Sequence, residues 1–242
     1  MLSGKTLDKV GINVPTLSLH TGFTLVELLV VISIIALLMG ILMPALSRAR
    51  IQAMTVVCQS NERQMGLALQ TYFIDNENTL PPSSCHADPD QYWLNILTGY
   101  TKEKLLFKCP ADRCKNFFNW DSPPDDTSTW ETYRWSSYAT NGFFDNQTYE
   151  MYQNILKIKK LDKCIYICEL QDEMDGVDHV HADYWRLTDD LTKQVAWDRH
   201  KDKSNYLFVD GHSETLQWEQ TFDFEAENLW NPKTAPNWPK RH

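Results

Sequence analysis

Residues Gly22 to Arg50 read GFTLVELLVVISIIALLMGILMPALSRAR, an apolar run with a single carboxylate, Glu27, near its start. From Phe23 to Met43 the run is about 21 residues long, so as a helix it spans roughly 30 Å, the thickness of a bilayer's hydrocarbon core. One acidic side chain inside such a segment costs about 2.5 to 3.5 kcal/mol on insertion scales, so it needs a partner or a purpose. The run itself offers neither. Pro44 removes one backbone hydrogen bond, which predicts a kink or local melting there. Arg48 and Arg50 mark the interface, where long basic side chains snorkel toward headgroups.

Gly22, Phe23, Thr24, Leu25, Glu27 and the Leu/Val/Ile run behind them resemble the cleavage and methylation signature of type IV pilins and type II secretion pseudopilins. The resemblance implies that a membrane peptidase cuts after Gly22 and methylates the new amino terminus of Phe23. It also implies that Glu27 pairs with the Phe23 ammonium of a neighbouring subunit, since an opposite charge within a few ångströms favours the ionised carboxylate. Two other readings compete. A secretory signal peptide has a shorter apolar region with a small-x-small cleavage site after it, whereas the cut signal here precedes the run. A plain transmembrane anchor accounts for the length but not for Glu27 beside Gly22-Phe23.

The chain has 242 residues and a formal charge of −9, and Lys5 and Lys9 of the leader leave the remainder no less acidic. That balance excludes nucleic-acid binding through a basic surface. The length allows one anchor helix and one soluble domain large enough for a real core. Nine Trp and ten Tyr point to aromatic packing, with a minority left for a contact surface. Six cysteines (Cys58, Cys85, Cys109, Cys114, Cys164 and Cys168) follow an export-type signal, so disulfides are expected, with the connectivity open. Cys109 and Cys114 close a short loop around Pro110 and form the first candidate pair. Cys164 and Cys168, four apart in KCIYICE, would share one side of a strand, too far apart to bond without bending it. A structural zinc site from four thiolates competes, although C-x4-C and C-x3-C miss the usual knuckle spacing. Buried free thiols are the third reading.

After the apolar run, helix-breaking residues are scarce until Pro81, and Met65, Ala68, Leu69 and Tyr72 fall at i, i+3, i+4 and i+7. The helix therefore continues into the soluble part. Cys58 to Asn61, Gln64-Met65, Leu67 to Leu69 and Tyr72 to Asp75 resemble the second half of the pseudopilin helix. A short amphipathic helix is expected over 91–101, a surface loop over 115–132, and a short extended element with a turn at Asn141-Gly142 over 136–144. KCIYICEL, dense in β-branched and aromatic residues, is the clearest strand. Near the end, RHKDKSNYLFVDGHSETL places His200, nine residues, then Asp210-Gly211. The spacing resembles the H-x9-D-G signature of a prepilin-processing-associated family. Physically it reads as a hairpin, with 205–209 and 212–216 flanking a two-residue type I′ turn at Asp210-Gly211.

Metal chemistry has several candidate ligand sets. His200, Asp210 and His212 could converge, and His179, His181 and Asp183 would share one face of a strand. A metallohydrolase would add an open position and a general base, with Glu169 or Glu214 as nominees. Because some secretion pseudopilins hold calcium in a C-terminal loop, Asp172, Glu173, Asp175 and Asp178 form a candidate set of hard oxygen ligands. The plainer reading is that His200 hydrogen-bonds within the hairpin and Asp210 satisfies turn amides. No nucleophile elbow, P-loop or dinucleotide fingerprint is present.

The expected fold is α+β: a long N-terminal helix, transmembrane and then amphipathic, packed on a small antiparallel sheet. The expected parts are a leader (1–22), a transmembrane helix (23–47), its soluble extension (48–80) and a head (81–242) with a hairpin at 200–217. The expected role is structural, a major or minor pilin or pseudopilin without a cofactor, calcium being the one candidate. Its implied partners are a prepilin peptidase/N-methyltransferase, other pilin-like subunits and an inner-membrane assembly platform, with the head periplasmic or on an extracellular filament. The alternatives are a membrane-anchored binding module, such as a glycan adhesin using Trp230 or Trp238, and a metal-dependent enzyme.

Overall fold

Thr24 and Glu27 start the long helix with reciprocal hydrogen bonds. The Thr24 amide and hydroxyl donate to Glu27 Oε2 at 2.9 and 2.7 Å, and the Glu27 amide donates to Thr24 Oγ1 at 3.2 Å. This is a capping box, which satisfies amide groups that the first turn leaves unpaired. Helix α1 runs Leu25–Asp75 and stays helical through Pro44. Of the kink or local melting expected at Pro44, melting is absent, since the helix runs on through it. The structure, a computed structural model, describes residues 24–83, 92–101, 107–119, 122, 125, 132–145, 152–223 and 228–232. The chain divides into two compact units, Met1–Leu46 and Ser47–His242.

In the first unit the apolar side chains of α1 stay exposed, Leu25 at 79% and Ile41 at 68% among them. Covering a side chain of this size contributes about 1.5 to 3 kcal/mol. A stretch with more than a dozen such groups uncovered is stable only in lipid or against other helices. By length and composition it can cross a membrane.

In the second unit α1 turns a stripe inward: Cys58, Glu62, Met65, Gly66, Ala68, Leu69 and Phe73 are buried. Their separations of three and four residues keep them on one helical face. The helix ends where Glu77 and Asn78 adopt left-handed φ values of 52° and 62°, and the Asn78 amide donates to Phe73 O. Left-handed residues at this position close the last turn.

The head is built on a five-stranded sheet of order β3-β1-β2-β4-β5. The strands are β1 (Tyr138–Asn141), β2 (Ile165–Glu169), β3 (His179–Val180), β4 (Ser204–Phe208) and β5 (Ser213–Leu216). Every pairing is antiparallel except β3 with β1. The expected antiparallel sheet is therefore mixed, because the chain leaves β2 and passes β1 before adding β3 at the edge. As KCIYICEL implied, β2 is a strand, and it is central and fully buried. Its register against β4 shifts by one residue between Ile165 and Ile167, a bulge that increases local twist. Helix α2 (Trp93–Thr101) buries Trp93, Leu94 and Leu97. The short helix α3 (Thr188–Thr192) buries Leu191. As expected, Asn141 ends β1 in a turn, its side chain accepting from the Phe143 amide. Of the loop expected over 115–132, only part lies within the described residues. There Phe118 is buried and packs edge-on against Tyr133.

Candidate functional site

Glu27 is the one functional residue of the processing region that the structure describes; Gly22 and Phe23 lie outside the described residues. Its carboxylate is exposed and, among the described residues, held by Thr24. Both bonds are local, so an external cation can replace them without disturbing the rest of the helix.

A second candidate region lies within the head, where the β4–β5 hairpin meets α1. The contacts climb one helical face at Thr55, Glu62, Gly66 and Gln70. His200 Nδ1 lies 3.1 Å from Thr55 Oγ1, and Asn205 Nδ2 donates to Thr55 O at 3.5 Å. Ser213 Oγ donates to Glu62 Oε2 at 2.5 Å. Gln70 Nε2 donates to Val209 O at 3.4 Å. Gly66 touches the hairpin tip so closely that a Cβ on it would stand 2.3 Å from Gly211 O. His200 and Gly211, the two ends of the H-x9-D-G spacing, thus meet α1 eleven positions apart, about 16 Å along its axis.

The tip is not the two-residue type I′ turn expected from sequence. The Phe208 amide donates to His212 O and the Gly211 amide to Phe208 O, leaving Val209, Asp210 and Gly211 as a three-residue loop. Among these Gly211 alone has positive φ, +88°. A type I turn followed by a left-handed glycine is the usual three-residue hairpin solution. Val209 is drawn into the loop because its amide donates to Cys164 O. Asp210 accepts from the His212 amide, which agrees with the expected role of satisfying turn amides.

His200 belongs to a buried cluster rather than to the hairpin tip. Its Nε2 lies 2.9 Å from Glu169 Oε1 and 3.7 Å from Cys109 Sγ. Cys109 is bonded to Cys58 of α1, with Cα atoms 5.3 Å apart. The Cys109–Cys114 pair expected from the short loop is therefore corrected: the loop points Cys109 into the core toward α1, while Cys114 donates outward to Asp175 Oδ1. Cys164 and Cys168 are buried thiols, in keeping with their expected inability to bond each other.

Glu169 sits at the end of β2 with both oxygens engaged. Oε2 accepts from Ser204 Oγ and the Asn205 amide, each at 3.1 Å. Burial raises its pKa, but the hydrogen bond and charge of His200, the Arg199 guanidinium and the Asn205 amide outweigh burial and hold it below the ordinary carboxylate value. Glu62 goes the other way. Burial first, and then the Glu169 charge, push its pKa well up against the weaker pull of Ser213. The two neighbouring buried carboxylates are thus pushed in opposite directions, Glu169 down and Glu62 up. The available sequence signal for the burial of Glu62 was its position at i−3 from Met65, on the inward stripe of α1, but its charge set it apart from the apolar residues that define that stripe.

The remaining sequence candidates are dispersed. His212 pairs with Asp210 at 2.5 Å on the surface and lies 3.5 Å from Glu214, so it does not join His200. His179 pairs with Asp178 at 2.8 Å. It packs edge-on against His181 at 4.7 Å, but β3 ends at Val180, so no strand face carries His179, His181 and Asp183 together. Asp172 binds Arg199 at 2.5 Å, and Asp175 and Asp178 take the separate partners named above. Trp230, a nominee for a surface ligand, is buried edge-on against Trp185 and Tyr206; Trp238 lies outside the described residues.

Comparison with known proteins bears on the N-terminal region. Residues 18–43 match the family model of the prokaryotic N-terminal methylation motif. No curated protein and no solved structure matches the chain. Carrying the prepilin-type methylation motif, one long apolar helix fit to be a single-pass anchor, and a five-stranded α+β head, the chain has the layout of a type IV pilin-like protein.

Proposed function

We propose that this chain is a filament subunit, pilin or pseudopilin, of a type IV pilus-like or type II secretion assembly. A prepilin peptidase/N-methyltransferase cuts between Gly22 and Phe23, and the subunit then waits in the inner membrane with its head in the periplasm. The observation that carries the reading is Glu27: an exposed carboxylate in the first turn of an uncovered apolar helix, within the matched motif, held by local bonds to Thr24. On assembly it exchanges Thr24 for the Phe23 ammonium of a neighbour, which sets the register, while the apolar faces of α1 pack laterally in place of lipid. The head takes no part in chemistry in this reading. The hairpin from His200 to Gly211 seats the sheet on the part of α1 that follows Ser47.

The test is the mass of the N-terminal peptide from native envelopes and from a sheared extracellular fraction. N-methyl-Phe23 at the start in both fractions supports an exported filament. The same peptide in envelopes only supports a short periplasmic pseudopilus. An intact Met1 start in both overturns processing and reduces the chain to an anchored domain.

A further inference from the structure

The cluster around the disulfide holds more ligand chemistry than a crosslink needs. Cys58 Sγ, Cys109 Sγ, Glu169 and His200 each place a donor atom within 4.8 Å of all the others, and all four residues are buried. They come from four separate places in the head: α1, the loop after Phe107, the end of β2, and the turn before β4. Two sulfurs, one imidazole nitrogen and one carboxylate oxygen make a four-donor set of the kind that binds zinc in closed, tetrahedral sites. A tetrahedron with zinc bond lengths has edges of about 3.3 to 3.8 Å. The 3.7 Å between Cys109 Sγ and His200 Nε2 already fits one edge.

We propose that, when Cys58 and Cys109 are reduced, the head holds a zinc ion on Cys58 Sγ, Cys109 Sγ, His200 Nε2 and Glu169 Oε1. The disulfide and the zinc centre are then alternative staples at one point of the fold. The groups behind the ligands support the assignment. Thr55 Oγ1 faces His200 Nδ1 at 3.1 Å, leaving Nε2 aimed at the cluster. Ser204 and the Asn205 amide hold Glu169 Oε2, leaving Oε1 aimed inward. The Cys109 amide donates to Ser137 Oγ at 2.9 Å, which fixes the loop that carries the sulfur. Outer partners of this kind orient metal ligands and sustain affinity.

The chemistry balances. A phosphine or dithiol reductant delivers two electrons and breaks the S–S bond, leaving two thiols. Zinc then displaces their two protons and the proton that His200 Nε2 shares with Glu169 Oε1, and forms two Zn–S bonds, one Zn–N bond and one Zn–O bond. Loss of two electrons to an oxidising disulfide reverses the sequence and releases the ion. Two thiolates, one carboxylate and Zn²⁺ carry a net negative charge, and the Arg199 guanidinium, whose field already acts on Glu169, offsets it. Because all four ligands are buried, loading accompanies folding rather than following it.

The experiment uses the full-length chain in a Cys85→Ser, Cys114→Ser background. The chain is unfolded with a phosphine reductant and refolded into detergent micelles with Co²⁺ or Zn²⁺; an oxidised sample is treated in parallel. We expect the reduced chain to retain about one metal ion and to show the thiolate-to-cobalt band and intense visible bands of a tetrahedral site, and the oxidised chain to show neither. Thr55→Val, which removes the hydroxyl behind His200 Nδ1 together with its local bond to Ile51 O, should weaken binding about 10- to 100-fold. A reduced chain with native helical content and no tetrahedral cobalt spectrum overturns the proposal. So does a spectrum that survives both His200→Ala and Glu169→Ala, since the metal would then sit elsewhere.

Discussion

Gly66 of α1 and Gly211 of the hairpin tip meet backbone to backbone, with no room for a side chain on Gly66 and a tight fit at Gly211. A Cβ on Gly66 would lie 2.3 Å from Gly211 O, and one on Gly211 would lie 3.1 Å from Gly66 O. The long helix and the hairpin tip thereby meet through two residues chosen for what they lack.

Gly66→Ala should therefore destabilise the head, although alanine in an ordinary helix interior stabilises by about 1 kcal/mol. Overpacking against rigid backbone costs about 1 to 3 kcal/mol, or a fall of about 2 to 4 °C in Tm per kcal/mol. Gly99→Ala in α2 meets nothing within 4 Å and should raise Tm instead. Thermal melts of the two variants in detergent check the pair; equal shifts of the same sign would count against the close contact.

Glu27→Gln separates capping from docking. Glutamine keeps an oxygen for the Thr24 amide and hydroxyl, so helix content and membrane insertion should match the wild type. The charge is lost, and with it any pairing to a neighbour's ammonium, so filament incorporation should fall at least tenfold by quantitative immunoblot of sheared fractions. Normal incorporation would refute the docking role.

The two buried carboxylates predict opposite pH dependences. Glu62 has a raised folded-state pKa, whereas an unfolded glutamate titrates near about 4.3. Between those values the folded chain keeps a proton that the unfolded chain has lost, so Glu62 removes stability as pH rises through the window. Glu169, held low, contributes stability that is present above the unfolded value and lost as pH falls toward its folded one. Glu62→Gln keeps an acceptor for Ser213 and deletes the first effect. Its Tm should exceed that of the wild type at pH 7, with the gap closing toward pH 4, as read from melts across that range.

Non-reducing peptide mapping should find Cys58 linked to Cys109 and Cys114 alkylated in the native protein. Burial raises the pKa of the Cys164 and Cys168 thiols, so they should alkylate only after unfolding. The crosslink spans a separation of 51 positions, for which the chain-entropy account gives about 4 kcal/mol. Cys58→Ser with Cys109→Ser should lower stability on that scale in metal-free buffer. A Cys109–Cys114 peptide would overturn the pairing.

What the sequence by itself determined is whatever rests on local pattern. The uncovered run with Glu27 in its first turn, the amphipathic stripe through Met65 and Leu69, the β-branched strand at Ile165–Glu169 and the Gly-bearing hairpin were all legible because period and turn chemistry are short-range. The tertiary structure decided what depends on which distant segments meet. It took Cys109 away from its near neighbour Cys114 and gave it to Cys58. It placed His200 on Glu169 rather than with Asp210 and His212, and Trp230 in the core rather than on the surface. It also buried Glu62, which the stripe alone did not single out. Chain proximity is a weak guide to bonding once a helix and a sheet pack face to face, because the contacts that exclude water are set by the shapes of both surfaces at once.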